Sequence, residues 1–186
     1  MNRHIKQTLG IAFMAVGLGM LGTKAYAVSD SIVVNVTPNV TYSVQITSPM
    51  PNGYQFGSQS LSATTLSTAS IGVKNNGNVS EFFTMSIANS SPGSWAPQSG
   101  APGADQYEMQ ALLTTANSQP TTASVSEAVT TSAPGTGATH YGQGGFAKTP
   151  ANTTRFLWLQ LTMPSDLITS TGGAQTMLMT INAQGS

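Results

Sequence analysis

Apolar and polar residues alternate with a period of two along much of the chain, the mark of a strand with one buried face. Val40, Tyr42, Val44 and Ile46 fall on one face, and Thr41, Ser43, Gln45 and Thr47 on the other. An apolar run, Ile32 to Val36, precedes this strand across the turn cluster Thr37-Pro38-Asn39. Pro49 to Gly53 ends it, because proline withdraws a ladder donor and Asn-Gly favours a turn. Ala69, Ile71 and Val73 alternate with Ser70, Gly72 and Lys74, and Phe83, Met85 and Ile87 with Thr84, Ser86 and Ala88. Between them stands Asn75-Asn76-Gly77-Asn78, whose residue types tolerate positive φ, so the two segments are predicted to form a hairpin.

The C-terminal half continues the pattern. Phe156 to Met163 places Leu157, Leu159, Leu161 and Met163 on one face, with Phe156 and Trp158 on the other, and Pro164 ends it. Met177, Met179, Ile181 and Ala183 alternate in a last strand. Tyr107 to Leu113 fits a helical turn or a strand, and the surrounding strands favour the latter. Strands at this spacing with turns between them predict an all-β fold, an antiparallel sandwich of about seven or eight strands.

One stretch is similar to a known group. Phe56-Gly57, a Ser/Thr-rich spacer, and then Ala69 to Asn78 resemble the strand-and-turn pattern of bacterial immunoglobulin-like surface modules over about residues 54–78. The resemblance implies two antiparallel sheets packed face to face and carries no activity with it. The aromatic-rich last strand and the cysteine pair of chaperone-usher pilins are absent.

Two segments depart from the strand pattern. Residues 1–27 read as an export signal: Arg3, His4 and Lys6 form a basic start, Leu9 to Leu21 is apolar or Gly, and Ala25-Tyr26-Ala27 offers a cleavage site. The exported chain would then be residues 28–186, a single domain of a bacterial cell surface, periplasm or medium, without a membrane span. Residues 114–154 hold 15 Ser or Thr, 7 Ala, 5 Gly and 3 Pro, the composition of a flexible insertion. Val125, Ala128 and Val129 could supply one short element within it.

Composition narrows the chemistry. Charged residues make up only 6% of the chain, against roughly 25% in ordinary domains. Cleavage after Ala27 would leave 3 basic and 6 acidic residues, too few bases to neutralise nucleic-acid phosphates. Without cysteine there is neither disulfide nor thiolate metal site. His140 is the one histidine beyond the signal and lies among glycines, so a hydrolytic triad has little to build on. Asp105 and Glu108 invite a calcium reading, but no D-x-D-x-D loop accompanies them, and a polar loop is the simpler expectation. No catalytic residue, cofactor or metal ligand is therefore assigned.

Two expectations of function remain. The first is a structural or adhesive surface protein, self-associating or binding protein partners through strand edges, as a fibre or matrix subunit does. The second is a carbohydrate-binding module that stacks sugars on Trp95, Tyr107 and Tyr141, with Trp95 in the loop Pro92 to Pro97 as the exposed platform. Trp158 is expected in the core.

Overall fold

The computed structural model describes residues 33–47, 53–132, 141–142, 148–169 and 173–185, and the chain divides into two units, Met1–Pro38 and Asn39–Ser186. In the first unit, residues 33–38 adopt no regular element. The second is all-β. Its strands are β1 (Val44–Ile46), β2 (Thr64–Leu66), β3 (Ile71–Asn75), β4 (Phe82–Ile87), β5 (Ala96–Pro97), β6 (Gln106–Thr114), β7 (Glu127–Ala128), β8 (Thr154–Thr162) and β9 (Met179–Gln184). A 3-10 turn at Thr122–Ser124 is the only helical element among the described residues.

Seven strands form one curled sheet along the path β1-β3-β8-β6-β5, with β2 added to β8 and β7 to β6, while β4 and β9 form a second, small sheet. At its centre β6 and β8 run antiparallel in long register, from Glu108 opposite Thr162 to Thr114 opposite Phe156. The pleat sends Met109, Ala111 and Leu113 to the same side as Leu157, Leu159 and Leu161, where the small sheet contributes Phe83, Met85 and Ile87. Both sheets thus bury one shared core. Each fully buried leucine there contributes about 1.5–3 kcal/mol relative to exposure.

The opposite face of the central pair is also covered. Leu112 lies across from Trp158, both buried, and the Trp158 indole N–H donates to Thr114 Oγ1 at 3.2 Å. The core placement expected of Trp158 holds, although it falls on the face away from the main cluster. Between β2 and β3 the pairing with β8 is interrupted, and Ser67 fills the gap. Its N–H donates to Leu159 O at 2.7 Å, and its hydroxyl accepts the Leu159 N–H at 3.1 Å.

Several expectations require correction. The segments flanking Asn75 to Asn78 do not form a hairpin, since β3 pairs with β1 and β8 while β4 pairs with β9 in the other sheet. The sheet is mixed rather than purely antiparallel, because β5 runs parallel to β6. Val33 to Val36 belong to no strand. The segment after Thr114 carries two elements, the 3-10 turn and β7, and buries Val125 and Val129. Val129 donates its N–H to Met109 O at 2.7 Å, which ties this segment to the edge of β6.

Candidate functional site

Beta strands present function at their edges when nothing covers the backbone. The far edge of β6 is closed piecemeal by β5, by β7 and by a bridge from Leu113 to Gly142. The other end of the sheet is β1, and it is built differently.

A polar clip holds β1. Thr47 N–H donates to Gly72 O at 2.8 Å, Asn76 N–H to Ser43 O at 2.7 Å, and Asn78 N–H to Thr41 O at 3.2 Å. The side chains that follow β3 extend the clip. Asn78 Oδ1 accepts the Thr41 N–H at 2.8 Å and its amide donates to Asn39 O at 2.8 Å. Glu81 Oε2 accepts the Ser43 N–H at 3.0 Å. Asn75, fully buried, donates to Val79 O and to Thr149 O and accepts the Gly77 N–H, each at 2.8 Å. The cluster that resembles a turn in sequence therefore binds distant backbone.

The clip engages only one edge of β1. A strand residue's N–H and C=O leave on the same side and neighbours alternate. With Thr41, Ser43 and Thr47 bonded toward β3, the backbone groups of Tyr42, Val44 and Ile46 lie along the outer edge. Among the described residues no backbone group pairs with that edge. The side chains of the same register form a half-covered apolar stripe. Val44 packs against the core, whereas Val40, Tyr42 and Ile46 are 44%, 46% and 49% exposed. The Tyr42 ring lies on the backbone of Gly185, just beyond β9, where any Cβ would collide with it.

Glu81 is the electrostatic peculiarity of the region. It is fully buried, and its Oε1 has no hydrogen-bond partner among the described residues. Burial pushes its carboxyl above the ordinary value of 4.5, opposed by the Ser43 N–H.

The aromatics expected to stack on a ligand lie inside. Trp95, Tyr107 and Tyr141 are 4%, 0% and 2% exposed, so none presents a ring face to solvent. Gln175 and Ser90 explain Trp95. Ser90 Oγ accepts the Trp95 N–H at 2.8 Å and donates to Gln175 Oε1 at 3.0 Å, which also accepts the Gly93 N–H at 2.7 Å. That network pulls the loop onto the C-terminal segment. The Tyr107 hydroxyl donates to Ala88 O at 2.7 Å, and burial pushes its pKa up. The Tyr141 hydroxyl is pushed up to about 12 by burial, with a smaller push from the Glu127 charge. These three rings join both sheets into one core. No sequence signal of the pattern type marks the Gln175 tie, because it spans more than 80 residues.

Asp105 and Glu108 do not converge. Asp105 accepts the Thr169 N–H and hydroxyl, each at 2.8 Å, whereas Glu108 Oε1 accepts the Gly100 N–H at 2.8 Å. Among the described residues no three His, Cys, Asp or Glu come together as metal ligands would. His140 lies outside the described residues. A shallow depression of about 360 Å³ on the outside of the small sheet is lined by Ser86, Asn89, Thr131, Leu178 and Thr180, none of them ionisable. Among the described residues no helix is long and apolar enough to cross a membrane. No protein-family model matches the chain, and no curated protein matches it.

Proposed function

We propose that this is an exported, non-catalytic structural or adhesive protein of a bacterial surface, a subunit that assembles through an edge of its β-sheet. The observation that carries the reading is the outer edge of β1. It offers main-chain donors and acceptors beside a half-covered apolar stripe. Residues 31–47 contain no charged residue that would repel a neighbour. Sheet edges in proteins that remain monomeric are commonly blunted by lysine, by proline or by a bulge. The charge-poor, Ser/Thr-rich composition suits repeated β contacts, and the basic and apolar start of residues 1–27 suits export. The shared core of a large and a small sheet supports reading the domain as an immunoglobulin-like sandwich.

A carbohydrate-binding role draws no comparable support, because the rings named for it are buried. Light scattering and electron microscopy test the assembly reading on protein purified from cells expressing the full chain. The mean mass should rise with concentration and extended or paired particles should be visible. A constant monomer mass across a hundredfold range of concentration would contradict it.

A further inference from the structure

The strand that completes this edge is identifiable on chemical grounds. It must be short, apolar and β-branched, and free of charge near its centre, because the edge it meets has no charge to pair. The chain carries such a segment. Val33, Val34 and Val36 are 82%, 73% and 81% exposed and belong to no strand. They lie in Ser31-Ile32-Val33-Val34-Asn35-Val36, six residues without charge, proline or glycine, closed off by Pro38. Three large β-branched side chains left in water are costly, since burying each contributes about 1.5–3 kcal/mol. A run of this composition is also a strong pairing segment when exposed.

We infer that Val33–Val36 of one copy adds as a strand to the outer edge of β1 in a second copy, bonding to the outward-facing backbone groups of Tyr42, Val44 and Ile46. This rests on the assembly reading above and names the partner of that site. Main-chain bonds would supply affinity, and alternate valines would cover the stripe of Val40, Tyr42 and Ile46. Because every copy carries both donor and acceptor, the contact is heterologous. It closes into a pair when exchange is reciprocal, and it extends into a filament when it is not.

Two variants separate donor from acceptor. Val34→Lys places a charge on the donor at an exposed position, and Ile46→Lys places one on the acceptor at a half-exposed position. Each is purified from cells expressing the full chain, checked by thermal melting, and measured by sedimentation over a range of concentrations. Each alone should associate at least about tenfold more weakly than the parent chain, as expected for a charge forced into an apolar contact. Mixed together they should form a one-to-one complex, since the mixture holds one intact donor and one intact acceptor. Should Ile46→Lys melt early, Val34→Lys carries the test alone. If Val34→Lys assembles like the parent, the segment is not the donor, although the assembly reading stands. If both single variants are monomeric and their mixture remains so, the donor–acceptor pairing is wrong. If the parent chain is itself monomeric, both readings fall.

Discussion

A Cβ placed on Gly77 would run into the carbonyl oxygen of Thr41 and would stand 3.1 Å from Glu81 Oε2 and 3.2 Å from Asn75 Oδ1. Crowding rather than a left-handed backbone therefore demands glycine there. Gly77→Val should destabilise the domain by about 1–3 kcal/mol, the usual cost of forcing atoms into a packed site, and should loosen β1 first. Thermal melting together with proteolysis of the segment around Thr41 checks this, and an unchanged melting curve would show that the clip tolerates a side chain. Glu81 leads to a prediction about pH. Its carboxyl binds a proton more tightly in the folded chain than in the unfolded one. The stability this contributes is fully present below the ordinary value of 4.5 and is lost as pH rises through the raised folded value. Glu81→Gln keeps the shape and an acceptor for Ser43 while removing the titration. Between about pH 4 and about pH 8 the parent should lose melting temperature relative to Glu81→Gln. Parallel curves would mean that the carboxyl is not held in a dry site.

At the scale of elements, β4, β8 and β9 were legible because each sustains a two-residue period, whereas β6, whose apolar positions also fit a helical turn, was legible only from the strands around it. β2, β5 and β7 are two or three residues long, too short for any period to register. The absence of a hairpin between β3 and β4 has a specific physical cause. Asn and Gly favour turns by local rules. Here Asn75 and Asn78 spend their side-chain amides on the backbone of Thr41, Asn39 and Thr149, contacts that local rules do not see. The outer edge of β1 was only half legible. The alternation of Val40 to Ile46 marks a strand, but which edge is left open depends on pairing with β3, far along the chain. The burial of Trp95 is hidden from the sequence in the same way, since Pro92 and Gly93 mark a surface loop and its anchor, Gln175, lies far along the chain. Trp95→Ala should accordingly cost about 3–5 kcal/mol, as truncation of a buried aromatic does. Chemical denaturation measures this directly. A near-neutral effect would return Trp95 to the surface.

Among the described residues one core is shared by two sheets and the outer edge of β1 has no backbone partner, and charges are few along the whole chain. Contacts made through backbone bonds and valines respond little to ionic strength, because screening acts on charges. Self-association should therefore change by less than about twofold between roughly 50 mM and 500 mM sodium chloride, as read by sedimentation. A steep fall with salt would point to an ionic interface elsewhere on the surface. The most direct test of the account is residue-resolved amide hydrogen exchange on dilute and on assembled protein. The amides of Tyr42, Val44 and Ile46 should exchange fast when dilute and become protected on assembly. Those of Leu157 and Leu159, bonded within the central sheet, should be protected in both states. Slow exchange at Tyr42, Val44 and Ile46 in the dilute monomer, or fast exchange there in the assembled protein, would contradict an account in which this edge is where the protein acts.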